Sequence, residues 1–248
     1  MPLPGGVKCG QPAPGFLNAT ELPNRPGFDR RDRSNRVIAI RLAVWYALPV
    51  PKKGRRRQDH LARRAQSEGY RARSVYKLEA LQRKFDLIRP GLRVLDLGAA
   101  PGSWTQFAVE RADAVVAVDL QEMTVAGATC LQGDFTDESL ATEIARLGPY
   151  DLVMSDAAPA TTGNRVVDTG RSEALVESIL ACLPRWLAPG GALVCKLFQG
   201  GGEQQFLQQA RREFRTGRLY RPEAVRKESF ETYLVGTGYR GSGEGDDA

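Results

Sequence analysis

Histidine is almost absent from this chain: there is one in 248 residues, His60, set in a basic run. That excludes a multi-histidine zinc centre and argues against a Ser-His-Asp triad, which needs an imidazole to shuttle the proton. Cysteine is scarce too. Cys9, Cys130, Cys182 and Cys195 are widely spaced and form no C-x-x-C pair, so nothing demands an oxidising compartment or a metal. Cys182 and Cys195 lie in apolar stretches and read as small core side chains. Long hydrophobic runs are missing as well. The longest, residues 37–50, spans 14 positions and is broken by Arg41. It is too short to cross a bilayer and begins too late to be a secretory signal. The chain also lacks the G-x-G-x-x-G spacing of dinucleotide folds and the GK[ST] ending of a phosphate loop.

What is present is a globular composition, 42% hydrophobic and 26% charged, with 35 Lys and Arg against 29 Asp and Glu. The excess is lopsided. Residues 1–77 carry 17 basic and 5 acidic side chains, and the remainder carries 18 and 24. A basic front on a mildly acidic body points to a polyanion, nucleic acid before membrane surface.

The order of segments gives an α/β reading. Residues 1–50 form a Pro-, Gly- and Arg-rich extension without periodicity, expected to be poorly ordered or atypical. A domain over 51–240 follows, and 241–248 reads as a disordered tail. Residues 58–85 have helical spacing interrupted at Gly69, with Val75, Leu78, Leu81 and Phe85 on one stripe. Beyond Gly91, strands are expected over 93–97, 114–120, 128–132, 150–155, 192–197 and 231–237. Helices are expected over 103–111, 172–187 and 203–214, the second closed by Pro189-Gly190-Gly191. This alternation predicts a mostly parallel sheet covered on both faces.

The first strand runs into Asp96-Leu97-Gly98-Ala99-Ala100-Pro101-Gly102-Ser103-Trp104. Small residues let the backbone approach a ligand, and a helix starts at once, as at the ligand crevice of an open α/β sheet. Asp119, ending the second strand, suits the two hydroxyls of a ribose. Asp134, just after the third, suits an adenine amine. An adenosine without a pyrophosphate, namely S-adenosylmethionine (SAM), matches best. Asp156 follows the fourth strand, and Lys196 sits inside the fifth, in Leu193-Val194-Cys195-Lys196-Leu197-Phe198. An ammonium inside a buried parallel strand is costly unless paired, so Lys196 is expected to meet Asp156 in the crevice and to act as a general base. A lysine that reaches to the strand end for a structural ion pair is the plainer alternative.

Several stretches together resemble the FtsJ/RlmE family of SAM-dependent ribose 2′-O-methyltransferases. They are Gly69-Tyr70-Arg71-Ala72-Arg73-Ser74-Val75-Tyr76-Lys77-Leu78, the glycine loop above, Val118-Asp119-Leu120, Leu131-Gln132-Gly133-Asp134-Phe135 and Met154-Ser155-Asp156-Ala157-Ala158-Pro159. Leu187-Ala188-Pro189-Gly190-Gly191, Cys195-Lys196-Leu197-Phe198-Gln199-Gly200 and Ser229-Phe230-Glu231-Thr232-Tyr233 complete the match, which runs from about residue 58 to 240. The resemblance implies a Rossmann-like class I methyltransferase fold with a seven-stranded, mostly parallel sheet and helices on both faces. It implies a catalytic tetrad of Lys77, Asp156, Lys196 and Glu231, with Glu228 a weaker candidate for the last place. Asp156 and Glu231 would orient Lys196. It also implies cofactor contacts from Gly102, Trp104, Asp119, Asp134 and Asp156, and no metal.

By the same resemblance the substrate is a uridine of large-subunit (23S) rRNA, in a ribosomal particle, methylated by a cytoplasmic monomer without membrane attachment. The Arg-rich leader leaves mitochondrial import open, though Glu21, Asp29 and Asp32 count against it. Ser103 stands where a second glycine is common in rRNA-directed members and resembles the tRNA-directed branch. A tRNA or mRNA-cap ribose methylase is therefore the runner-up. A non-catalytic RNA-binding assembly factor is the alternative from another class, and a nicotinamide oxidoreductase is disfavoured by the missing glycine fingerprint. Lys52, Lys53, Arg55, Arg56, Arg57, Arg63, Arg64, Arg71 and Arg73 are candidates to neutralise RNA phosphates. Tyr70 and Tyr76 are candidates either to stack on bases or to pack in the core.

Overall fold

The computed structural model of the protein describes residues 60–159, 162–226 and 228–241. The proposed extension 1–50, the basic run 52–57 and the tail beyond Gly241 lie outside the described residues. The elements in chain order are α1 (His60–Ser67), α2 (Val75–Phe85), β1 (Arg93–Leu97), α3 (Ser103–Val109), β2 (Ala114–Asp119), β3 (Thr129–Gln132), α4 (Glu138–Leu147), β4 (Tyr150–Ser155), α5 (Arg165–Trp186), β5 (Leu187–Phe198), α6 (Glu203–Glu213), β6 (Phe214–Tyr220) and β7 (Glu231–Tyr239).

The strands form one seven-stranded sheet in the order β3-β2-β1-β4-β5-β7-β6. The pairs β1–β2, β1–β4, β2–β3 and β4–β5 are parallel, and β7 runs antiparallel to both β5 and β6. The central strands are apolar on both sides because helices cover both faces. On one face Leu95, Val153 and Leu193 pack against Ile144 of α4, Leu175, Ile179 and Leu183 of α5, and Phe206 of α6. On the other, Val94, Leu152 and Val194 pack against Ala65 of α1, Val75, Leu78 and Leu81 of α2, and Trp104 and Phe107 of α3. The expected α2 stripe is buried except for Phe85, which is half-buried and meets the Tyr220 ring edge-on at 5.4 Å.

Four elements differ from the sequence-based expectation. Strand β6 was not anticipated. It is an edge strand whose Arg215, Thr216 and Arg218 face solvent. Its inward alternation is hidden because Gly217 occupies a position where a Cβ would stand 3.0 Å from the Arg211 amide. Helix α4 was also missed, although Asp137 caps it by accepting from the Ser139 amide. Helix α5 begins seven residues before the expected start at Ser172: Asn164 caps it through the Val166 and Val167 amides, and it tolerates both the β-branched pair and Gly170. Finally, Pro189-Gly190-Gly191 lies within β5, next to a register shift against β4, instead of in a separate connection.

Candidate active site

The strand order reverses between β1 and β4: β1 feeds α3 on one face and β4 leads to α5 on the other. A crevice opens at the carboxyl ends of strands at such a point. Here it is lined by Ser74, Asp96, Gly98, Ala99, Ala100, Ser103, Trp104 and Asp156.

The loop after β1 is shaped by its glycines and anchored by Asp119. Gly98 has φ +70°, and a Cβ on it would collide with the Cβ of Ala157 at 2.3 Å. The loops after β1 and β4 therefore touch, which brings Asp156 beside the glycine loop. Gly102 has φ +106°, and a Cβ there would meet Val125 at 2.8 Å. Asp119 accepts from the Ala100 amide through Oδ2 (2.9 Å) and from the Gln121 amide through Oδ1 (2.8 Å). Asp134 accepts from both the Thr136 amide and hydroxyl through Oδ1 (2.8 and 2.7 Å). Both carboxylates thus stand at strand ends with part of their accepting capacity used by the backbone. Trp104 is buried, donates its indole N–H to the Ser74 carbonyl (2.9 Å) and stacks on Tyr233 at 5.9 Å. It contributes a wall of the crevice, while its polar handle is committed to the protein.

The Lys77, Asp156, Lys196 and Glu231 side chains converge. Asp156 Oδ1 lies 3.1 Å from Lys196 Nζ and 3.7 Å from Lys77 Nζ, and accepts from the Tyr233 phenol at 2.6 Å. Lys196 also donates to the Asp156 backbone carbonyl. Lys77 Nζ stands 2.9 Å from Glu231 Oε1. Glu231 therefore holds Lys77, and its expected role in orienting Lys196 falls to Asp156. Glu228, the weaker candidate, is exposed and has no contact with either lysine among the described residues. Local structure explains the convergence. Lys77 is in the first turn of α2, whose start is tied to α3 by the Ser74 and Ser103 hydroxyls, 2.9 Å apart. Lys196 is opposite Tyr233 across the β5–β7 ladder. Glu231 and Tyr233, two apart on a strand, share its face.

Burial alone would push the Asp156 carboxyl up. The Lys196 and Lys77 ammonium groups and the Tyr233 phenol outweigh it and hold the carboxyl below the usual range. The Tyr233 phenol is in turn raised well above its ordinary value, by burial and by the nearby carboxylates. Asp96, on β1, accepts from Thr105 (2.7 Å). Burial first, and then the Asp156 and Asp119 charges, push it up to about 7 against that hydrogen bond.

The structure also reveals residues to which sequence reasoning gave no role. Tyr233 makes the shortest contact to the Asp156 carboxylate, and its signal was its two-residue step from Glu231. Asp96 is a carboxyl between Leu95 and Leu97, the same pattern that singled out Lys196. Tyr76 is buried with its hydroxyl on Glu68 (2.9 Å), and Tyr70 is half-buried near Glu110 (3.3 Å). Core packing is therefore the outcome for Tyr76. Arg71 donates to the Pro101 and Thr124 carbonyls and Arg73 to the Ala224 carbonyl. Both side chains tie neighbouring loops together.

A reversed-order sheet with an antiparallel β7, a glycine loop after β1 and acids at successive strand ends defines a Rossmann-like methyltransferase fold. The chain belongs to the FtsJ-like methyltransferase family, whose model matches residues 70–239. Among its relatives, the ribosomal RNA large subunit methyltransferase E of Treponema denticola is 46% identical over 190 residues, covering 74% of this chain and 96% of that one. The protein of the same name from Acidiphilium cryptum is 48% identical over 214 residues, covering 84% and 95%. A ribosomal RNA methyltransferase from Plasmodium falciparum shares the fold, with a TM-score of 0.62 at 24% identity over 69% of this chain and all of that one.

Proposed function

We propose that this protein transfers a methyl group from S-adenosylmethionine to the 2′-hydroxyl of a uridine in large-subunit rRNA. The observation that carries the reading is the gathering of Lys196, Lys77 and Tyr233 on one oxygen of Asp156, next to the glycine loop. The family match and the names of the relatives support the substrate class. The donor set fits the cofactor. Asp119 and Asp134 offer acceptors for a ribose and an adenine amine, and Gly102 and the Trp104 wall shape the loop. The Asp156 carboxylate lines the same crevice. SAM supplies a methyl carbon already activated by its sulfonium charge.

A ribose hydroxyl is a poor nucleophile near neutral pH, so a positioned base must take its proton as attack develops. Lys196 is that base, held by the Asp156 carboxylate and carbonyl. Lys77, fixed by Glu231, holds the hydroxyl and stabilises the charge that develops on its oxygen. Positioning supplies much of the remainder. The protein acts as a cytoplasmic monomer on a ribosomal particle.

The test is Lys196→Ala. Methyl transfer is expected to fall by about 10²-fold or more, with SAM affinity unchanged by calorimetry. Full transfer by the variant would remove Lys196 as the base. Protein that binds rRNA but moves no label from SAM to any RNA would favour the assembly-factor reading. Mapping 2′-O-methyl marks in total RNA from a deletion strain and its parent names the target nucleotide.

A further inference from the structure

Among the described residues, the exposed large hydrophobic side chains are Leu120 (38%), Val166 (82%) and Val167 (41%). All three lie beyond the carboxyl ends of strands, on the side of the molecule that carries the crevice. Val166 and Val167 adjoin Arg165, whose guanidinium lies over the Phe230 ring at 5.2 Å. Arg165 is exposed and Phe230 half-buried, so this is not a core pair.

Three connections meet at Phe230. Arg165, from the segment after β4, donates to the Gln199 carbonyl at 3.2 Å. The Gln199 amide, just after β5, donates to the Phe230 carbonyl at 2.8 Å. The Phe230 ring, just before β7, meets Phe198 at 4.8 Å and 63°. Phe198 is opposite Glu231 in the ladder and two residues beyond Lys196, on the same face of β5. The rings and the guanidinium therefore continue the mouth of the Lys196 cluster directly.

We propose that Arg165 and Phe230 form a platform on which an unpaired base of the RNA stacks while its ribose is presented to Lys196. This rests on the methyl-transfer reading above. A ribose buried at the Lys196 cluster carries a base that has left its own stack, and leaving it costs energy that a receiving surface offsets. Unstacked RNA bases are received by aromatic rings and by guanidinium planes, and this pair offers both. Of the aromatic candidates on the basic front, Tyr76 is buried, and Tyr70 is half-buried with its hydroxyl on Glu110. Direct continuity with the lysines, and a cationic plane facing an anionic ligand, favour RNA over an apolar protein segment.

The experiment measures methylation of large-subunit particles by the full chain. Phe230→Leu is expected to raise KM for the particle about tenfold, the size of one lost base stack, with kcat and SAM affinity within about twofold of wild type. Phe230→Trp is expected to restore KM, and its added indole emission to be quenched by single-stranded rRNA fragments. An unchanged KM in a Phe230→Leu protein that binds SAM normally overturns the platform. If that variant fails to bind SAM it has misfolded, and the Phe230→Trp quench decides: quenching supports the platform and its absence overturns it. If wild-type protein methylates nothing, the function reading fails on its own, and the quench still reports on the platform.

Discussion

Asp96 is 1% exposed on a central strand, between two leucines, and has one hydrogen bond, from Thr105. Burial raises its carboxyl to about 7. The folded protein therefore keeps this proton at pH values where the unfolded chain, with a carboxyl near 4, has lost it. The resulting stabilisation is complete below about pH 4 and disappears as pH rises through about 7. Asp156 is shifted the other way, so its contribution is lost only in more acidic solution, and the two windows do not overlap. Wild-type Tm is expected to fall between about pH 4 and 7. Asp96→Asn, which keeps an acceptor for Thr105, should flatten that fall, as thermal melts across the range would show. Parallel curves for the two proteins would deny Asp96 the shift. The same feature, a charged group in an apolar strand, made Lys196 legible from sequence and would have identified Asp96. The pairing of Lys196 with Asp156 was legible too, whereas the pairing of Glu231 with Lys77 was not. Whether Glu231 serves one lysine or the other depends on where α2 rests on the sheet, and spacing along the chain does not encode that.

Among the elements, the connection from β4 to α5 bears most on the site because Asp156 is in it. Asp168, buried in the first turn of α5, accepts from the Thr162 amide (2.7 Å), the Thr162 hydroxyl (2.9 Å) and the Gly163 amide (3.2 Å). Burial pushes its carboxyl up, but these donors outweigh burial and lower it. Asp168→Ala should cost about 2–3 kcal/mol, since it strands donors that had faced a charged acceptor. Chemical denaturation measures that loss, and a change under about 0.5 kcal/mol, the usual size at an uninvolved surface position, would show that the turn holds without it. The early start of α5 was hidden by Val166, Val167 and Gly170, all poor helix formers. Tertiary packing of Leu175, Ile179 and Leu183 overrides them. Edge strand β6 was hidden for a different reason. Half of it faces water with arginines, and its inward Gly217 carries no apolar signal. The parallel strands β1, β2, β4 and β5 were legible because burial on both faces makes their apolar runs continuous.

At the scale of the whole molecule, the basic front narrows to fewer candidates for RNA phosphates. Of the nine basic residues assigned to RNA, Arg71 and Arg73 are drawn to backbone carbonyls and Arg64 pairs with Glu68 at 2.7 Å. Arginines spent on the scaffold are poor phosphate ligands, so sequence-independent RNA affinity should depend on Lys52, Lys53, Arg55, Arg56 and Arg57, with Arg63 beside them. Each phosphate neutralised on a single strand contributes about 0.7 to the slope of log affinity against log salt. Replacing those five residues together by glutamine should therefore lower the slope by up to about 3.5. Binding should weaken strongly at low salt and little at high salt, where the counterion term has already gone. The acidic crevice is built from other parts of the chain, so SAM affinity should be unchanged, and kcat at saturating RNA should stay near wild type. Filter binding across a salt series reads the slope directly. A variant whose slope matches wild type would move the phosphate contacts elsewhere, and the basic edge carrying Arg215 and Arg218 would be the next surface to neutralise.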